Sequence, residues 1–146
     1  MSKKTTQALA KVLADTYTLY LKTQFCHWNV EGPHFHSLHE LFESQYTEYA
    51  EAIDTLAERI RALGEYAPGG FKAFSGLTSL NEFKGIPKAN AMVRELAGDQ
   101  AKIRKTIEAA IDAATKQDDK ATEDFLIERL QAHDKNAWML NSLLKK

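Results

Sequence analysis

His27, His39, Asp54 and Glu58 combine imidazole and carboxylate donors at spacings of 12, 15 and 4 residues in this 146-residue sequence. Two neutral imidazoles and two carboxylates form a ligand set for a divalent first-row metal such as iron, manganese or zinc. His39, Asp54 and Glu58 fall within one helical tract, Phe35 to Leu63, in which no glycine or proline intervenes. Fifteen residues of α-helix span roughly 22 Å, so one copy of this helix cannot bring His39 and Asp54 together. At about 100° per residue their directions differ by only ~60°, which places them on one side of the helix. Two copies packed antiparallel across a two-fold axis would bring His39 of one chain opposite Asp54 and Glu58 of the other. The axis is expected near Tyr46 and Thr47, and two equivalent sites per dimer follow. His27, on the apolar face of the preceding helix, is placed to join His39 from the same chain.

The elements that must position these donors are set by glycine and proline. Apart from Gly32, Pro33 and Gly98, every one of them lies between Gly64 and Pro87. Four long helices are therefore predicted, about Thr5 to Val30, Phe35 to Leu63, Lys88 to Thr115 and Asp119 to Leu144, and the class is all-α. Short joints at Glu31-Gly32-Pro33 and Gln117-Asp118 make two antiparallel hairpins. The long middle connection allows the second and third long helices to run parallel, the single-crossover plan of ferritin-like four-helix bundles. A short helix is expected at Thr78 to Phe83 within it, and the whole chain, 1–146, is read as one domain.

The first helix is patterned on more than one side. Lys4, Lys11, Asp15, Lys22 and Asn29 share a narrow sector between two apolar faces. One face carries Leu9, Val12, Leu13, Leu19 and Tyr20, and the other Tyr17, Leu21, Phe25 and Trp28. A lone bundle needs only one such face, so the aromatic one is expected to be buried against another subunit. On the second helix Phe35, Leu38, Phe42, Tyr49, Ile53, Leu56 and Ile60 form the core stripe. Beside it run His36, His39, Glu43, Thr47, Ala50, Asp54, Ala57 and Glu58, in which small residues let a partner helix approach.

Composition narrows the remaining classes. The single cysteine, Cys26, has no internal partner, and no leader-like segment or apolar run of about 20 residues is present, so a cytoplasmic protein without membrane spans is expected. Nineteen Lys and Arg against 20 Asp and Glu give a net charge of -1. No global attraction to nucleic acid follows.

The run Cys26-His27-Trp28-Asn29-Val30-Glu31-Gly32 resembles the Dps-type mini-ferritins, the DNA-binding proteins from starved cells. The resemblance continues through Phe35, Leu38-His39 and Phe42-Glu43, then Asp54, Ala57-Glu58-Arg59-Ile60 and Gly64, and reaches Asp134-Lys135 and Trp138. It implies a homo-dodecameric cage with ferroxidase centres at two-fold interfaces, ligated by His27, His39, Asp54 and Glu58. It also implies that Fe(II) is oxidised, hydrogen peroxide being preferred to dioxygen, and that ferric mineral is stored, which protects the cell and its DNA from oxidative damage. Zinc and other divalent metals fit the same donors. Glu43, one turn beyond His39, is an accessory candidate. Trp28 lies beside the centre in this family, where it either quenches a stray oxidising equivalent or packs an interface.

Blander roles are expected elsewhere. Cys26 is read as a small buried hydrophobe. His133 lies in an apolar seam as a hydrogen-bonded core histidine, and His34 and His36 face solvent or an interface. Glu31-x-x-His34 sits on a turn broken by Gly32 and Pro33, which argues against an intrasubunit di-iron site. Asp119, Asp124 and Glu128 match in spacing the acidic lining of a mini-ferritin iron-entry pore, although acidic residues at a helix start are favoured by the dipole whatever the function. A purely structural bundle would have to explain why metal donors recur at a spacing that closes only across a dimer.

DNA compaction, with the nucleoid association it would bring, needs a basic arm. Only Lys3 and Lys4 precede the first predicted helix, and Lys145 and Lys146 follow the last. So few charges attract a duplex weakly, even when avidity multiplies them. Little or no gel retardation is therefore expected at ~150 mM salt, where Coulomb interactions are screened within ~8 Å. A complex that survives this salt and disappears when Lys3 and Lys4 become alanine would overturn the expectation.

Overall fold

Gly32 (φ +115°) and Gly64 (φ +100°) adopt backbone angles that L side chains rarely accept, Gly32 in the connection between the first two long helices and Gly64 just past the end of the second. In a computed structural model, which describes residues 3–146, the elements are α1 (Lys3–Asn29), α2 (Phe35–Ala62), α3 (Phe71–Leu77), α4 (Ala89–Lys116) and α5 (Lys120–Leu143). The all-α class and the four long helices are as predicted, each end falling within about two residues of its expected place. Lys3 and Lys4 form the first turn of α1 and do not precede it.

Pairwise contacts fix the topology. His27 meets His39 and Tyr20 meets Tyr46, so α1 and α2 are antiparallel. Lys22 pairs with Asp99 and Asp15 with Thr106, so α1 and α4 are antiparallel too. The second and third long helices are therefore parallel, as the single-crossover plan requires. Arg129 pairs with Glu48, and Arg59 with Asp119, which sets α5 antiparallel to α2. The core between them is made by Leu9, Leu13, Phe42, Leu56, Met92, Leu96, Ile103 and Leu126, all inaccessible to solvent or nearly so.

Two expectations are corrected. The short crossover helix is Phe71–Leu77, not Thr78 to Phe83, and Thr78 has extended backbone angles. The cause is Asp15 of α1. Its carboxylate accepts hydrogen bonds from Thr78 Oγ1 (2.7 Å), Ser79 N (2.6 Å) and Ser79 Oγ (2.8 Å), and also from Thr106 Oγ1 of α4 (2.7 Å). Donors engaged by a buried carboxylate hold the segment extended. The second apolar face of α1 is also covered differently: Tyr17 stacks on Phe74 (4.9 Å) and Phe25 on Phe83 (5.5 Å). The chain's own crossover thus buries half of that face, while Leu21 stays 41% and Trp28 65% exposed.

Within the polar sector of α1, Asp15 and Lys22 are buried as well, while Lys4 and Lys11 are exposed. Lys22 Nζ lies 2.6 Å from Asp99 Oδ2 and 2.8 Å from Glu95 Oε2, and 4.8 Å from the centre of the Phe83 ring. Burial raises the Asp99 carboxyl above its ordinary value, against the pull of Lys22. Asp15 and Lys22 therefore fasten the crossover to the bundle through one carboxylate and one ammonium.

A second polar network crosses the bundle centre. His133, buried in α5, donates from Nδ1 to Gln100 Oε1 (2.8 Å) and accepts at Nε2 from Arg129 Nη2 (3.2 Å). Gln100 and Asn136 both donate to the Tyr49 hydroxyl, at 2.8 and 3.0 Å. His133 is thus the core histidine that its apolar seam predicted. Burial first, and Arg129 second, push its pKa down from 6.5 to about 3. The unfolded chain then binds a proton that the folded chain refuses, so stability is full above about pH 6.5 and falls as pH drops toward 3. His133→Gln is expected to flatten the stability-against-pH slope between these limits by about 1.4 kcal/mol per pH unit, measured by denaturant unfolding. Equal slopes in the two proteins would show that His133 does not titrate as described.

Candidate metal centre

His27 sits in the last turn of α1 and His39 in the second turn of α2, brought face to face by the short connection between the two helices. The rings stack with centroids 3.7 Å apart and planes inclined by 13°. Each imidazole also donates to the other residue's backbone: His27 Nδ1 lies 2.7 Å from His39 O, and His39 Nδ1 lies 2.7 Å from His27 O. A carbonyl only accepts, so both rings carry their proton on Nδ1. Both Nε2 lone pairs are left for another partner. Such a hydrogen bond behind a ligand nitrogen fixes the tautomer and the direction of the lone pair.

Glu43 extends this half of the site, its Oε1 lying 3.9 Å from His27 Nε2 with the side chain 55% exposed. Asp54 and Glu58 lie further along α2, both exposed and on the stripe with His39, Glu43, Thr47 and Ala50. Among the described residues of one chain, no three His, Cys, Asp or Glu side chains converge as a metal set. A single copy therefore displays two separate donor groups: the histidine pair with Glu43, and the Asp54/Glu58 pair. This is the separation that the spacing of fifteen on one helix dictates.

The other candidates separate clearly. Trp28 follows His27 and its indole is turned largely outward. Cys26 is fully buried, and burial above all pushes its thiol up to about 12. His34 and His36 are exposed, His36 lying 3.2 Å from Glu40. At the acidic end of α5, Asp124 and Glu128 are exposed. Asp119 is engaged in the fold as the α5 N-cap, accepting from Thr122 N (3.2 Å) and Thr122 Oγ1 (2.6 Å). Burial would raise its carboxyl, but these bonds and the Arg59 guanidinium outweigh that and hold it below the usual carboxylate range.

Arg59 was missed as a functional candidate in the sequence. Its Nε donates to Thr122 Oγ1 (2.8 Å) and its Nη2 to Asp119 Oδ1 (3.2 Å), which ties the turn of α2 that bears Glu58 to the start of α5. The available signal was an arginine beside a ligand glutamate, with a capping aspartate at the start of the last helix. Nothing in one-dimensional spacing pairs positions sixty residues apart.

Comparison with known proteins follows this geometry. A model of the ferritin-like domain family matches residues 6–146. The chain is 34% identical over 146 residues to DNA protection during starvation protein 2 of Bacillus anthracis, covering 100% of both chains. It superposes on the crystal structure of Dps from Staphylococcus aureus with a TM-score of 0.96 at 34% identity, covering 99% of this chain and 97% of that one. Against a Dps protein from Vibrio cholerae O1, described as a member of a broad superfamily of ferritin-like diiron-carboxylate proteins, the TM-score is 0.94 at 27% identity. That match covers 98% of this chain and 90% of the other.

The Arg59 bridge is open to direct test. Arg59→Ala is expected to destabilise the protein by about 2 kcal/mol in denaturant unfolding, because charged hydrogen bonds are removed from a partly buried carboxylate. Arg59→Lys should recover half or less, since an ammonium lacks the planar fork that serves two acceptors. Wild-type stability of Arg59→Ala would show that the bridge does not hold the α2–α5 junction.

Proposed function

Because this chain belongs to the Dps-type mini-ferritins of the ferritin-like superfamily, we propose that its iron-storing and oxidative-protection role runs through an intersubunit ferroxidase centre. His27 and His39 of one subunit and Asp54 and Glu58 of another would be its ligands. The observation that carries this reading is the reciprocal histidine pair, in which both Nδ1 are engaged by backbone carbonyls and both Nε2 lone pairs are left for a metal. The exposed ligand stripe of α2, with small residues between the donors, supports an antiparallel approach of a second copy.

Iron is the substrate and cargo. Two imidazoles and two carboxylates carry a total charge of -2, which balances Fe(II) and attracts Fe(III) more strongly, and oxygen donors prefer the harder ferric ion. Oxidation is therefore favoured at such a site. With hydrogen peroxide as oxidant, two Fe(II), one peroxide and two protons yield two Fe(III) and two waters, and no hydroxyl radical is released. The His pair directs the lone pairs, and Glu43 supplies a nearby carboxylate for a second or incoming ion. Arg59 holds the turn of Glu58. In the dodecameric cage this reading entails, Asp124 and Glu128 are the acidic residues free to draw Fe(II) inward, because Asp119 is taken up by Thr122 and Arg59. Zinc would compete for the same donors. DNA binding is at most weak and salt-sensitive in this reading, and the protein acts in the cytoplasm.

Anaerobic titration of the apo-protein with Fe(II), followed by stoichiometric peroxide, should give ferric absorbance in the wild type. It should fall to background in His27→Ala/His39→Ala and in Asp54→Ala/Glu58→Ala. Mixed assemblies that pair one double variant with the other should regain one intact centre per mixed dimer. Complete inactivity of mixed dimers shown to be assembled would mean that the ligands act within one chain.

A further inference from the structure

Four of the five histidines of the chain, His27, His34, His36 and His39, lie at the end of the bundle where α1 gives way to α2. His27 and His39 form the stacked pair. His36 has no part in packing, since its side chain is 82% exposed, yet its Nε2 lies 3.2 Å from Oε1 of Glu40, one turn further along α2 and also exposed. A solvent-exposed ion pair of this kind adds little to stability, so the fold does not require it. Two ligand atoms each about 2.1 Å from one divalent ion, and roughly 90–110° apart around it, are separated by about 3.0–3.4 Å. The His36–Glu40 separation of 3.2 Å falls within that bite. Donors one helical turn apart are also the spacing by which a helix grips a metal from a single face. Further carboxylate follows: Glu43 is three residues beyond Glu40, and its Oε1 lies 3.9 Å from His27 Nε2. At about 100° per residue, His36, His39, Glu40 and Glu43 fall within a sector of about 100° on α2. The donors thus run from the exposed pair to the histidine pair along one side of the helix.

We propose that His36 and Glu40 form a second divalent-cation site, a surface chelate that captures Fe(II) and passes it by way of Glu43 to the histidine pair. One imidazole nitrogen and one carboxylate oxygen suit a first-row ion such as Fe(II), Co(II) or Zn(II) better than a hard cation that prefers oxygen alone. Two protein donors leave the other coordination positions to water, so capture is reversible. Reversibility is what a hand-over needs, because a closed site would retain the ion. The histidine pair binds the more firmly of the two, since its Nδ1 atoms are already fixed by the two backbone carbonyls. An ion released by His36 and Glu40 therefore moves toward the stronger donors, with Glu43 between. Delivery rests on the ferroxidase reading, whereas capture needs only the residues of one chain.

The test titrates the full-length apo-protein with Co(II), followed by visible absorbance and calorimetry. In His27→Ala/His39→Ala, which removes the histidine pair, a Co(II) site should remain on each chain. Adding His36→Ala or Glu40→Gln should weaken it by about tenfold or more, the loss that even a supporting group around a metal site brings. Adding Glu40→His instead should keep or tighten the site, because two imidazoles one turn apart grip a metal from the same face. A role for Glu40 in helix charge alone would give the opposite result. If the double variant does not assemble, wild type against His36→Ala carries the test, with one Co(II) fewer per chain expected. In peroxide-driven ferric formation, His36→Ala should raise the Fe(II) needed for half-maximal rate several-fold, and excess Fe(II) should recover the rate. A Co(II) site indifferent to His36→Ala and Glu40→Gln, or none at all in the double variant, overturns the chelate and leaves the ferroxidase reading standing. An intact chelate with an unchanged Fe(II) dependence in His36→Ala overturns delivery. No ferric iron in the wild type, with Co(II) binding that still follows His36, overturns the ferroxidase reading and delivery with it, and leaves the chelate.

Discussion

A straight α-helix cannot bring residues fifteen apart into contact, and this rigidity of α2 governs how the donor residues are distributed. The helix runs unbroken from Phe35 to Ala62, so its donors divide into a histidine half near the start and a carboxylate half near the end. Each half is held by a different neighbour. The histidine half depends on the α1–α2 turn, where Gly32 permits the reversal that stacks the two rings. The carboxylate half depends on α5, through Arg59, Thr122 and Asp119. Packing thus sets two separate donor groups within one chain, and in the proposed reading their union would be left to association.

The parallel placement of α2 and α4 requires a long crossover, and a long connection needs an enthalpic anchor to offset the entropy of ordering it. Asp15 and Lys22 provide it from one face of α1. Charges in those positions are costly to bury and become favourable only when every lone pair and proton has a partner. Asp15 reaches that condition with four donors from the crossover and α4, and Lys22 with Asp99, Glu95 and the face of Phe83. The same crossover carries Phe74 against Tyr17, so the anchoring of the loop also covers part of the aromatic face of α1.

The helix class and the crossover plan were legible in the sequence because each depends on local periodicity and on where glycine and proline fall. The joining of His27 to His39 was legible for the same reason, since a short turn between two helices leaves little choice of partner. What local pattern could not reveal is which donors a distant side chain captures. Thr78 to Phe83 reads as a helix until the Asp15 carboxylate, more than sixty residues away, engages the donors of Thr78 and Ser79. The second apolar face of α1 reads as an intersubunit surface until Phe74 and Phe83 are seen folded back onto it. Support for association therefore shifts from that face to the donor stripe of α2.

Under the proposed reading, peroxide would act next to a cysteine. Cys26 precedes His27, yet one helical step turns it about 100° away, into the core. There it is inaccessible, and desolvation lifts its thiol to about 12. The thiolate is the species that peroxide attacks, and at neutral pH a thiol so displaced supplies almost none of it. In that reading His27, Trp28 and Cys26 would meet the same oxidant on unequal terms, set by direction along one turn of α1. The imidazole faces the donors, the indole faces outward, and the sulfur is withheld.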